Sequence, residues 1–305
     1  MSDANTGAVA SPGATHSRLW PYLMLAAASL FWSGNHVLGR AIAGHVPPFA
    51  ISTIRWAIPL LLLTPFALPH LKRDWPEIRR HWALILFLAL TGTAVFGVLQ
   101  YVGLIYTTAV NMGVLNSFAP IMIAVAGAVL FGDRLTVVQT LGVVISLAGV
   151  LLIVAKGQLG TLLGLDVNIG DLIIVFNMTL FGIYSATLRR RPKIHWLSFT
   201  FLLALISVVA TLPFFVWEHV AIAQLQPTLM TLGALAYASL LPSLAAIVCW
   251  NRAIDLVGSN KAAATMHLIA IYGSVLSWFF LGEQLAPYHP AGFVLILAGV
   301  WMTAR

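Results

Sequence analysis

Charged side chains are scarce in this sequence: Asp, Glu, Lys and Arg make up 8% of 305 residues, against roughly 25% in soluble globular domains. So few charges cannot coat a water-facing surface of this size, so the exterior must meet lipid. Cysteine is nearly absent. Cys249 stands alone inside an apolar run, which excludes a disulfide framework or a cysteine metal site within one chain. It reads as a small packing residue. Acidic residues are missing from the middle of every apolar run: Asp133, Asp255 and Glu283 fall at run ends, Asp166 lies in a loop and Asp171 near an end. The phosphate-cradling GxxxxGK[ST] loop is absent, which excludes an ATP-driven pump within this chain. HExxH and GxSxG are absent too. An integral membrane enzyme would need a nucleophile with its base, or a ligand cluster, facing one cavity; His36 and His267 alone do not make a metal site. No lysine lies deep in a run as a retinal-type receptor requires, since Lys261 is too close to a run end.

What is present is apolar: 60% of the residues are hydrophobic and the mean hydropathy is +0.94. Ten apolar runs lie near Leu19–Ala43, Phe49–Leu68, Trp82–Tyr106, Ala109–Phe131, Thr136–Ala155, Ile169–Leu188, Trp196–Trp217, Leu229–Ile254, Ser259–Leu281 and Tyr288–Thr303. Each is close to the roughly 20 residues that span a bilayer core as a helix. Barrel strands are shorter and alternate polar with apolar. The expected fold is therefore an all-α polytopic membrane protein of ten transmembrane helices. Residues 1–18 read as a disordered cytoplasmic tail, without the basic start, short apolar core and cleavage site of a signal peptide.

The net charge of +7 reads as topology rather than nucleic-acid binding, because the basic residues cluster in short loops. Lys72, Arg73, Arg79 and Arg80 fall between runs 2 and 3, Arg134 between 4 and 5, and Arg189, Arg190, Arg191 and Lys193 between 6 and 7. Arg252 and Lys261 flank the turn between 8 and 9. All lie on the side of Arg18 and Arg305, which predicts cytoplasmic termini. The other side has little beyond Arg40, Arg55 and Lys156. Arg55 is expected about a turn into helix 2, snorkelling to the interface.

An internal repeat organises the chain. Phe131-Gly132-Asp133-Arg134-Leu135 is matched by Leu281-Gly282-Glu283-Gln284-Leu285, and Leu147-Ala148-Gly149-Val150 by Leu297-Ala298-Gly299-Val300. Gly142 matches Gly292, and Leu30-Phe31 matches Leu180-Phe181. The offset is constant: 282 − 132 and 299 − 149 both give 150. Five runs per half is an odd number, so the second half enters the membrane from the opposite side. The expected domains are residues 19–155 and 169–305, an inverted pair. Inverted repeats are a common plan of secondary transporters, which hold substrate near the midplane between the halves.

These residues resemble the EamA family of the drug/metabolite transporter superfamily. The resemblance rests on Tyr106-Thr107-Thr108-Ala109-Val110-Asn111 running through Pro120 to the Phe131–Leu135 corner, on Phe31-Trp32-Ser33-Gly34-Asn35 and on Ile54-Arg55-Trp56. Asp133 stands where that family has glutamate, and Ala270 sits opposite Pro120. Within the family the chain is most similar to the YddG-type exporters of aromatic amino acids, through the Phe31–Asn35 and Trp250-Asn251-Arg252 segments. The resemblance implies export of aromatic and other neutral amino acids across a bacterial cytoplasmic (inner) membrane, with no cofactor and no obligate protein partner. Drugs or other small metabolites are the alternative cargo, since fold alone does not fix substrate.

Polar groups deep in a span tend to face a cavity or another helix. On helix 1, Trp32, Asn35, His36 and Gly39 share one face by i, i+3, i+4, i+7 spacing. Helix 3 offers Gln100 and Tyr101; helix 4, Asn116 and Ser117 before Pro120; helix 6, Tyr184; helix 8, Trp250; helix 9, His267 and Tyr272. Ser117 and His267 are repeat mates and are expected on opposite walls of one cavity. Asn35 could bond a substrate carboxylate or ammonium, and Trp32 could stack on a ring. Taken alone, each residue is better explained by packing or helix cross-linking, and Asn35 equally by cross-linking or by substrate binding; as a set they suggest an amphipathic pocket with aromatic walls. With no mid-membrane carboxylate, weakly coupled or uncoupled export is expected, with coupling through His36 or His267 the lesser case.

Overall fold

The computed structural model describes residues 16–134, 136–158, 168–258, 262 and 265–303. Most of the expected tail, with Leu135, Asp166, Lys261 and Arg305, lies outside the described residues. The described chain is helical because an apolar environment offers its backbone no other partners. The helices are α1 (His16–Ala41), α2 (Pro48–Arg80), α3 (Trp82–Ala89), α4 (Val95–Tyr106), α5 (Ala109–Asn116), α6 (Ala119–Phe131) and α7 (Val137–Val154). After the gap come α8 (Ile169–Thr187), α9 (Trp196–Ala221), α10 (Leu229–Ala238), α11 (Ala246–Val257), α12 (His267–Leu281) and α13 (Tyr288–Thr303). Among the described residues six helical stretches are long and apolar enough to cross a membrane, and the bent pair α5–α6 makes a seventh. α12 and α13 are shorter apolar helices.

Three departures from regular helix matter. The helix expected over Ala109–Phe131 breaks at Ser117 and Phe118 and bends by 42°. The cause is Pro120, which has no N–H for the Asn116 carbonyl four residues back and sits in the first turn of α6. Two π-helical segments interrupt otherwise continuous spans: Leu90–Ala94 joins α3 to α4, and Ser239–Ala245 joins α10 to α11. They occupy the same position in the two halves, since 240 − 90 gives 150. Single π turns inside α-helices are often found at functional sites.

α2 is longer than its apolar run. It continues to Arg80, so Lys72, Arg73, Arg79 and Arg80 ride on a helix rather than in a loop. The extension carries Asp74 to the start of α9, where its Oδ2 accepts from the His195 N–H and the Ser198 hydroxyl, each at 2.8 Å. At the other end of the same pair, Glu218 accepts from the Phe49 and Ala50 N–H groups at 3.2 and 2.9 Å, capping the start of α2. Each helix thus supplies a carboxylate to the other's N-terminus, which makes the pair antiparallel and satisfies donors that lack intrahelical partners. A third carboxylate, Glu283, accepts from the Ala109 and Val110 N–H groups at the start of α5, at 3.2 and 3.0 Å.

α7 and α13 pack through the repeated glycines. A Cβ on Gly149 would lie 2.7 Å from the Gly292 carbonyl oxygen, and one on Gly299 would lie 2.4 Å from that of Gly142. Small residues are what let two backbones approach this closely.

Candidate functional site

The main core gathers residues of both halves around Trp250, Phe181, Tyr184, Met112 and Leu115. Beside it lies a small cavity of about 30 Å³, room for about one water molecule and well short of the roughly 300 Å³ at which small-molecule sites begin. α1 supplies Trp32 and His36, α2 Arg55 and Trp56, the first π segment Gly92 and Thr93, α4 Phe96 and Gln100, and α5 Asn116. The second half supplies Phe181, Pro242, Ile247, Met266 and Ile269. The cavity therefore sits on the seam between the two sequence copies, and both π segments reach its wall through Gly92 and Pro242.

Pro242 organises one side. Lacking an N–H, it leaves the Ala238 carbonyl four residues back without its usual donor. Ser243 Oγ donates to that carbonyl at 2.7 Å. Held there, the same oxygen accepts from Arg55 Nε at 2.6 Å. The Pro242 carbonyl in turn accepts from Trp32 Nε1 at 3.1 Å. Trp32 lies 5.3 Å from Trp250 and 6.2 Å from Phe181 between ring centroids, so the aromatic wall is two layers deep.

Arg55 corrects the sequence reading. The helix begins at Pro48, so Arg55 stands nearly two turns in and turns toward the bundle. It is 4% exposed and lines the cavity instead of snorkelling to the interface. Its Nη1 donates to the Tyr101 hydroxyl at 3.3 Å, and that hydroxyl donates to Asn35 Oδ1 at 2.8 Å. The guanidinium carbon lies 5.5 Å from the Tyr101 ring centroid.

Of the expected site residues, Trp32, His36, Gln100 and Asn116 line the cavity. His36 Nε2 lies 3.5 Å from Asn116 Nδ2, which donates to the Met112 carbonyl at 2.8 Å. His36 Nδ1 and Trp56 Nε1 are buried with no protein partner among the described residues. Asn35 and Tyr101 stand one shell back, as the support of Arg55. Trp250 and Tyr184 are fully buried behind the wall; the Tyr184 ring lies against Gly92, where a Cβ would approach it to 2.3 Å. Its hydroxyl donates to Asn251 Oδ1 at 3.4 Å.

Ser117 and His267 do not face each other across the cavity. Asn116 takes the lining position, and one helical step turns Ser117 away into the kink, fully buried. Met266 and Ile269 line the other wall at i, i+3 spacing, which turns His267 off that face. Tyr272 is half-buried and outside the cavity. Among the lining residues that sequence reasoning passed over are Arg55, Trp56, Thr93, Phe96 and Phe181. The signal available for Arg55 was its register: counted from Pro47-Pro48, it falls too deep to reach the interface.

Among the described residues no group of three His, Cys, Asp or Glu side chains could hold a metal. The acidic side chains lie elsewhere and have partners. Besides Asp74, Glu218 and Glu283, Asp133 pairs with Arg189 at 2.9 Å and Glu77 with His81 at 3.1 Å. Asp255 pairs with Arg191. Asp171, fully buried, accepts from Thr107 and from Asn111, the latter at 3.0 Å, and Asn111 Oδ1 lies 2.6 Å from His289 Nε2.

Comparison with known proteins gives this geometry its setting. The model of the EamA-like transporter family matches twice, over residues 19–155 and 168–305. The uncharacterized transporter YyaM of Bacillus subtilis (strain 168) is 24% identical over 285 residues, covering 92% of each chain. An uncharacterized transporter of Archaeoglobus fulgidus is 27% identical over 291 residues, covering 92% of this chain and 96% of its own. A solved structure, described only as the crystal structure of a protein, superposes with a TM-score of 0.61 at 19% identity. It covers 92% of this chain and 95% of that one, and it shares the fold.

Proposed function

This chain belongs to the EamA-like transporter family, and from that premise we propose that it exports aromatic and other neutral amino acids across a bacterial cytoplasmic membrane. At the coarser level it is a multi-pass membrane transporter of small molecules rather than an enzyme. In the reading offered here, ten spans form two inverted five-span units, residues 19–155 and 169–305, with both termini cytoplasmic. Rocking of one unit against the other would expose the seam cavity to each side in turn.

The observation that carries the reading is the composition of that cavity. Trp32, Trp56, Phe96 and Phe181 offer apolar and π surface for a ring, while Arg55, Gln100, Asn116 and His36 border the same cavity as polar groups. A small amphipathic solute with a ring and a compact polar head matches this division in chemistry, and the cavity of about 30 Å³ has to open to admit it. A polyanion does not, because one guanidinium is the only cation on the wall among the described residues. Among the described residues the wall also lacks a carboxylate, which favours export down a gradient over carboxylate-based ion coupling.

Purified protein in vesicles loaded with labelled amino acids tests the reading. Efflux of phenylalanine or tryptophan, saturable and absent from empty vesicles, is expected. Efflux of a drug with no amino acid moving would transfer the cargo to the alternative class on the same fold. Counterflow strictly dependent on an imposed pH gradient would overturn the uncoupled mode.

A further inference from the structure

We infer that Arg55 is the residue that binds an anionic group of the cargo, and that the cargo class is a monocarboxylate on an apolar or aromatic body. The inference rests on the reading of the seam cavity as the substrate site.

A guanidinium in a dry interior is expensive, and proteins normally offset it with a carboxylate. Arg55 is 4% exposed, yet none of the ion pairs among the described residues includes it. Its partners are neutral: the Ser243 hydroxyl at 2.6 Å, the Tyr101 hydroxyl at 3.3 Å and the face of the Tyr101 ring. Each neutral partner is itself held, Ser243 by the Ala238 carbonyl and Tyr101 by Asn35. Two of the five N–H donors of the group are thereby used to fix the plane of the guanidinium. Arg55 also borders the cavity. This arrangement orients a charge without neutralising it.

A planar fork with free donors matches a carboxylate, and such charge-assisted pairs are about twice as strong as neutral hydrogen bonds. The surroundings decide between anions. A phosphate dianion would need further cations. The rest of the wall is ring and aliphatic surface with the polar side chains of His36, Thr93, Gln100 and Asn116, and among the described residues it holds no second Lys or Arg. One carboxylate on Arg55 with a ring against Trp32 and Phe181 uses what is there. Arg55 has no counterpart in the second copy, where Leu205 stands 150 residues on, and the polar side chains on the wall, His36, Arg55, Thr93, Gln100 and Asn116, all come from the first copy.

The test is binding to detergent-solubilised full-length protein, read by quenching of tryptophan fluorescence, with three matched probes: phenylalanine, 3-phenylpropionate and 2-phenylethylamine. The amino acid and the acid are expected to bind about tenfold to a hundredfold more tightly than the amine. In Arg55→Gln that preference collapses, and in Arg55→Lys it is partly kept. The wild-type series needs no variant, so misfolding of Arg55→Gln leaves the test intact. Equal affinity for the amine and the acid, or binding of none of the three, would overturn the inference. Tight binding of 3-phenylpropionate without phenylalanine would sustain Arg55 as the anion site while removing amino acids as cargo.

Discussion

Charges at the ends of the helices and the charge in the middle of the bundle are treated in opposite ways. At the ends, Asp74, Glu218 and Glu283 each accept from donors at the start of another helix. Arg40 donates to the Leu104 and Ile105 carbonyls at the end of α4, at 3.0 and 3.2 Å. These charges meet the partial charges of helix termini and tie one helix to another. In the centre, Arg55 meets hydroxyls and a ring but no carboxylate. The end charges do structural work and are complete without a ligand, whereas the central charge adds cost to the folded state and is complete only when something anionic arrives.

Substitutions can break that division. The largest expected effect is on transport: Arg55→Gln should lower carboxylate transport by about a hundredfold, since a lost charge-assisted pair is worth up to about 3 kcal/mol. The melting temperature should hold or rise, because an uncompensated buried charge is removed. Vesicle efflux and a detergent-phase melt check both halves of this. Next, Glu218→Ala should cost about 1–3 kcal/mol of stability, leaving the Phe49 and Ala50 N–H groups unmet, while probe affinity in the cavity stays unchanged. Tyr101→Phe removes the hydroxyl between Arg55 and Asn35 and should weaken carboxylate binding by about tenfold. Pro242→Ala should act least. The new N–H competes with Ser243 Oγ for the Ala238 carbonyl, and affinity should drop by about threefold through looser positioning of Arg55.

Much of this architecture is legible in the sequence. Its helical character follows from the apolar runs, and the shared offset of 150 residues anticipates that Gly142 and Gly149 belong with Gly292 and Gly299. On helix 1, Trp32 and His36 border the cavity, while Asn35, expected beside them, bonds Tyr101 instead. Other features are hidden for physical reasons. Phe96 and Phe181 have the periodicity of core residues, and a cavity wall differs from a core only in what lies opposite it. The π segments have no propensity signature, so the turn they add cannot be counted from the sequence. Ser117 and His267 are misplaced because repeat symmetry fixes position along a helix, not rotation about it. The Pro120 kink has no proline to mirror it at Ala270. Arg55 is misplaced because a cation near the start of an apolar run usually reaches the interface, and the register set by Pro48 decides otherwise.

The most direct test measures stability and probe binding together on two variants, Arg55→Gln and Glu218→Gln. The division drawn here predicts a crossed result: Arg55→Gln loses 3-phenylpropionate binding and keeps its melting temperature, while Glu218→Gln lowers the melting temperature and keeps the affinity. If Arg55→Gln instead melts early and binds the acid normally, Arg55 is a structural charge like those at the helix ends, and the central claim fails.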